Sequence, residues 1–147
     1  MEAVLTQLRT LLLGGQNALH TQTEAILSAR PAPGKWSKKE VLGHLIDSGL
    51  NNLQRFVEIQ YKPLPYSVRR YDQDRSVAIN RYQEADTQEM LRLWLAVNER
   101  ILRLLESLDP ETLAHPLQYE SGENADFRFL IEDYVAHMAH HLEQIKN

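Results

Sequence analysis

Apolar residues recur with a helical period along most of the chain. From Glu2 to about Arg30 they fall at Val4, Leu5, Leu8, Leu11, Leu12, Ala18, Leu19, Ile26 and Leu27. This spacing predicts an amphipathic helix. Gly14-Gly15 lowers helix propensity without shifting the phase, so the segment reads as one helix with a kinked middle or two short helices in line. Pro31-Ala32-Pro33-Gly34 stops it. Ser37-Lys38-Lys39-Glu40 then has the form of a capping box, with Trp36 and Val41 placed as a hydrophobic staple. The second helix is expected to run to about Tyr61. Leu42, Leu45, Ile46, Leu53, Phe56 and Val57 mark its buried face, and Pro63 and Pro65 end it.

Residues 62–85 form the longest stretch without strong periodicity, with a short helix expected around Val77–Tyr82. A connection this long suits a crossover along a bundle better than a hairpin between neighbours. Asp86-Thr87-Gln88-Glu89 reads as a second capping box. It is followed by Leu91, Trp94, Asn98, Ile101, Leu105 and Leu108 in a coiled-coil-like repeat. Residues 115–126 read as loop with a tight turn at Gly122-Glu123-Asn124. The last helix begins near Asp126 and carries Phe127, Leu130, Ile131, Tyr134, Met138, Leu142 and Ile145 on one face. The pattern therefore predicts an all-α fold of four long helices with no strand.

Composition narrows the function classes. The 147 residues suit a single domain spanning 1–147, and 43% hydrophobic with 24% charged residues supplies one core. A net charge of -4 gives no electrostatic footprint for nucleic acid. The absence of cysteine excludes disulfides, thiolate metal ligands and cysteine nucleophiles. No segment approaches the roughly 18 apolar residues of a membrane span, and the N-terminus lacks the apolar run of a signal peptide. A cytoplasmic protein without membrane contact is the expectation.

The chemistry-bearing residues are the histidines, six in all. His137 and His141 are one helical turn apart, so both can reach one ion. His141 is in phase with the apolar stripe and His137 lies at its edge. His140 points aside and is expected to support a ligand or face solvent. A catalytic zinc site of the common type needs a third protein ligand. His44, on the border of the second helix's apolar face, is the best candidate. Gly43, Ser48 and Gly49 beside it are small enough to leave volume for an ion and a substrate. The same spacing equally fits surface or satisfied core histidines, so pattern alone leaves both open. Asp47 shares His44's side of the helix and is the candidate general base, with a solvated or capping charge as the alternative. Asp133 is a candidate partner for His137. Asn98 is expected to be a buried, register-setting amide.

Three separated motifs carry a family resemblance. Gly34-Lys35-Trp36-Ser37-Lys38-Lys39-Glu40-Val41-Leu42-Gly43-His44-Leu45-Ile46-Asp47-Ser48 resembles the second-helix signature of the DinB/YfiT-like superfamily. Tyr71-Asp72-Gln73-Asp74 with Val77 and Asn80-Arg81-Tyr82 resembles the crossover of one branch. Tyr134-Val135-Ala136-His137-Met138-Ala139-His140-His141-Leu142 resembles the closing histidine motif. The resemblance implies an up-down-down-up four-helix bundle with a long crossover between helices two and three. It implies His44, His137 and His141 as ligands of a divalent metal, zinc or nickel. It further implies a homodimer and a small-molecule substrate. The activities it suggests are an S-transferase using a low-molecular-weight thiol, or a hydrolase activating water. The alternative is a non-catalytic ligand-binding or stress-related interaction module whose metal site is structural or vestigial.

Overall fold

The computed structural model describes residues 1–147. Helix α1 spans Glu2–His20 and the short α2 spans Glu24–Ser28. The break falls at Thr21–Thr23, not at Gly14-Gly15 as the glycine pair suggested. Gly15 faces a tight contact, since a Cβ there would meet Trp94 Cη2 at 2.7 Å and Leu142 Cδ2 at 2.9 Å. The gain from this close packing outweighs the ~1 kcal/mol propensity cost of a mid-helix glycine. Thr23 restarts the helix by accepting from the Ile26 amide.

Helix α3, Lys38–Glu58, begins with the predicted capping box. Ser37 Oγ accepts from the Glu40 amide at 3.1 Å, and the Ser37 amide donates to Glu40 Oε2 at 2.9 Å. Helix α5, Thr87–Glu106, is capped by Asp86, which accepts from the Glu89 amide at 2.7 Å. Only this half of the second predicted box forms. Helix α6, Phe127–Lys146, is capped by Asp126 in the same way. Between α3 and α5 the chain forms α4, Gln73–Ile79, and a 3-10 turn, Tyr82–Glu84. Arg81 takes the left-handed conformation, φ 53°, immediately before Tyr82, whose ring is buried.

Contacts fix the helix directions. Phe56 packs on Phe127, and His44 on His141, so α3 and α6 are antiparallel. Gly15 meets Leu142 and Gln22 bonds the Ile145 carbonyl, so α1 runs with α6. Arg9 pairs with Glu106 while Gly15 meets Trp94, so α1 opposes α5. It follows that α3 and α5 are parallel neighbours, which is why a long crossover must join them. The bundle is up-down-down-up, as expected. One cluster of 30 buried hydrophobic residues fills it, including Trp94, Phe56 and Phe127. Asn98 is fully buried, accepts from the Tyr134 hydroxyl at 2.6 Å and donates to the Trp94 carbonyl at 2.8 Å. No helix is long and apolar enough to cross a membrane.

The absence of strands is corrected. Strands β1 (Tyr66–Val68), β2 (Pro116–Tyr119) and β3 (Asn124–Asp126) form a small sheet in that order. β1 pairs parallel to β2, Tyr66 opposite Leu117, and β2 pairs antiparallel to β3. Three or four residues are too few to show an alternating pattern, and β1 and β2 lie far apart in sequence. The sheet joins the crossover to the loop before α6, and so brings residues from both beside the bundle.

Candidate metal centre

His44 projects from the middle of α3 and is fully buried. His137 and His141 project from α6 and are half-buried. One ring nitrogen from each of the three lies within 4.8 Å of the others. The Nε2 atoms of His44 and His137 are 3.0 Å apart. The ring centroids are 4.9 Å apart for His44 and His137, 4.6 Å for His44 and His141, and 4.5 Å for His137 and His141. Antiparallel packing of α3 on α6 produces this convergence, and the one-turn spacing of the α6 pair supplies two of the three members.

The electrostatics keep the rings neutral. Burial, then the neighbouring His141 and His137, push His44 down to about 4. Burial, then His141 and His140, push His137 down to about 4. His141 is lowered chiefly by burial, opposed by its bond to Gln144. Neutral imidazole is the form that offers a lone pair to a metal. His44 Nδ1 is buried without a partner, so the polar chemistry of this ring is directed through Nε2. His141 Nδ1 is 3.0 Å from Gln144 Oε1, and Gln144 Nε2 is 3.1 Å from His140 Nε2. In the arrangement that satisfies both contacts, His141 donates through Nδ1 and keeps its Nε2 lone pair free. An all-nitrogen, neutral, partly desolvated donor set fits a divalent transition metal. It also fits an open site, because three protein donors leave coordination positions for a small molecule.

His140 is exposed and stacks edge-on against His141, outside the cluster. Gln144 was not apparent beforehand, although it lies three residues after His141 and four after His140, a helical spacing that places it against both. Asp133 is exposed and makes no hydrogen bond to His137, so that expected pairing does not form. Of the small residues of α3, Ser48 borders the cleft beside His137, but the two glycines do not leave room for an ion and substrate, contrary to the reading of the sequence. A Cβ on Gly43 would collide with the Tyr82 ring, and one on Gly49 would touch Val97 at 3.0 Å. These glycines admit packing partners.

Asp47 is buried and already engaged. Its Oδ2 accepts from Ser76 Oγ at 2.8 Å, and its Oδ1 accepts from the Tyr82 hydroxyl at 2.6 Å and Asn80 Nδ2 at 3.1 Å. All three donors belong to the crossover. The carboxylate thus fastens residues 76–82 onto α3 with three charge-assisted bonds.

Two clefts border the histidines, one at His141 and one at His137. One, of about 780 Å³, is bordered by His141, Trp36, Val41, Ile26 and Lys35. The Trp36 ring also lies 5.1 Å from that of His44. The other, of about 540 Å³, is bordered by His137, Arg55, Arg70, Tyr71 and Tyr119.

The family model for the DinB superfamily matches residues 7–145. The chain belongs to the DinB superfamily. No curated protein sequence matches it. Among solved structures it is similar to YfiT from Bacillus subtilis, described as a probable metal-dependent hydrolase with an unusual four-helix bundle topology. The TM-score is 0.89 at 22% identity, over 98% of this chain and 82% of that one. It is also similar to a mycothiol-dependent maleylpyruvate isomerase, TM-score 0.78 at 12% identity, covering 98% of this chain and 60% of that one. A mutant of that isomerase gives TM-score 0.79 at 11% identity with the same coverage. At these identities the likeness establishes the shared DinB-type bundle.

Proposed function

We propose that this protein is a metal-dependent enzyme that activates a small nucleophile, a low-molecular-weight thiol or water, at His44, His137 and His141. The observation that carries the reading is the set of three neutral, converging imidazoles bordered by two open clefts. The three imidazoles would hold a zinc or nickel ion, whose chemistry when bound would be to lower the pKa of a thiol or water towards neutrality. His44 anchors the set from the core, while His137 and His141 face the clefts. Gln144 holds the His141 tautomer, and Asp47 keeps the crossover in place. Two clefts on one centre suit a two-substrate reaction and favour transfer from a thiol over hydrolysis. The description of YfiT as a probable metal-dependent hydrolase supports a metal and points to water, and the mycothiol dependence of the isomerase points to a thiol. Assembly as a homodimer belongs to this proposal through the family resemblance, and residence in the cytoplasm through the sequence expectation.

Elemental analysis of the purified protein tests it, with about one zinc or nickel per chain expected. His44→Ala should weaken metal binding by more than the roughly 10–100-fold typical of losing an outer supporting residue. Turnover of an electrophile should then require both metal and thiol, or metal alone for a hydrolase. A protein that takes up no metal, or holds it without any turnover, would sink the enzymatic reading.

A further inference from the structure

We infer that the cleft beside His137 is a subsite for a zwitterionic, amino-acid-like molecule, its carboxylate toward Arg55 and Arg70 and its ammonium toward Asp133 and Glu123. This rests on the metal-enzyme reading and names the substrate class for one side of that centre.

Elsewhere the partly buried charges pair, Arg30 with Glu40, Lys39 with Glu24 and Lys62 with Glu58. In this cleft two cations and two anions border one space, and none of the four is in an ion pair. Arg55 spends its hydrogen bonds on the Arg69 carbonyl at 2.5 Å and Asn52 Oδ1 at 3.3 Å, both uncharged. Arg70 and Asp133 make no side-chain hydrogen bond and are exposed. The four come from separate elements: α3, the segment after β1, the β2–β3 turn and α6. The small sheet is what gathers them.

Tyr119 lines the same cleft as the four charges and feels each of them. Its hydroxyl is pushed up by burial first, then by Asp133, countered by Arg55, raised by Glu123 and countered by Arg70. A lining with two charges of each sign attracts a simple anion through the arginines and repels it through the carboxylates. A zwitterion gains at both. The volume of about 540 Å³ lies within the range of small-molecule sites. The cleft beside His141 has a different balance: Arg30, Lys35 and Lys38 face a single carboxylate, Asp74, beside Trp36, Val41 and Ile26.

The test uses the full chain, as purified and again after dialysis against a chelator. L-serine is the probe, because it carries both charges and no thiol. Glycolate and ethanolamine carry one charge each. Arginine side-chain NMR signals report binding. The Nε–H signals of Arg55 and Arg70 should move with L-serine, with affinity about fivefold above either one-charge probe, the scale of one partly exposed ion pair. Arg70→Gln and Asp133→Asn should each weaken L-serine by about the same factor, while Lys35→Gln in the other cleft should not. Neither side chain has a hydrogen bond to lose, so both variants are expected to fold. Glycolate binding as tightly as L-serine would overturn the inference, as would L-serine leaving both arginine signals unmoved. Metal uptake and thiol turnover are read separately. Their failure with L-serine binding intact would sink the enzymatic reading and leave the subsite standing.

Discussion

Replacing Gly43 with alanine should destabilise the protein, against the usual direction for a mid-helix glycine. In an exposed helix this change adds about 1 kcal/mol of stability. Here the new Cβ would lie 2.1 Å from Tyr82 Cδ2, 2.3 Å from Cγ and 2.7 Å from Cβ. A ring flip only exchanges Cδ1 for Cδ2 and relieves nothing, and Cγ and Cβ clash as well, so Tyr82 must move as a unit. Overpacking of this kind costs about 1–3 kcal/mol. Displacing Tyr82 also removes its 2.6 Å bond to Asp47, and a hydrogen bond to a charged group contributes about 1.5–3 kcal/mol. Offset by the propensity gain, the net loss is roughly 1.5–5 kcal/mol. Urea unfolding at neutral pH measures it as a lowered midpoint with unchanged slope. In a Tyr82→Gly background all three clashing atoms are gone, and Gly43→Ala should become neutral or stabilising. A Gly43→Ala protein as stable as the parent would refute the packing of the crossover on α3 described above.

Other outcomes follow from the same geometry. Asp47→Asn removes an acceptor from a three-donor clamp and should cost about 1–3 kcal/mol in denaturant unfolding. If the carboxylate only positions the crossover, the folded variant keeps its activity to within about tenfold; a fall of roughly 10²–10⁴ would make it a general base. Gln144→Leu removes the acceptor that fixes the His141 tautomer, and chelator competition should show metal affinity reduced about 10–100-fold. The metal-free protein should lose stability on acidification. His44 and His137 sit near 4 in the fold and near 6.5 when unfolded, so between these values the unfolded chain binds more protons. Their contribution is complete above about 6.5, declines as pH falls towards 4 and then levels off, which unfolding midpoints across that window would show. Midpoints that rise on acidification through this window would contradict the burial of these two rings.

Much of the bundle is written in local pattern. The Ser37 box, the Asp86 and Asp126 caps and the apolar stripes placed the three later long helices, because each signal acts within a turn or two of chain. The His137/His141 spacing made the pair visible for the same reason. Features that depend on partners distant in sequence were hidden. The Gly14-Gly15 pair looked like a kink because nothing local reveals Trp94 against Gly15. Gly43 and Gly49 looked like room for a substrate because nothing local reveals Tyr82 and Val97. Asp47 looked like a free base because its three donors lie 29, 33 and 35 residues away.

The sequence by itself determined an all-α chain with a long crossover and three histidines able to share one interior, since helical period and turn spacing are properties of a single segment. Tertiary structure decided that those rings meet, that they are partly desolvated and neutral, and that Gln144 backs one of them. It also decided that two unlike clefts reach them. Convergence, desolvation and cleft shape arise only when α3 packs antiparallel on α6 and the sheet closes beside them. No single segment carries the information for that packing.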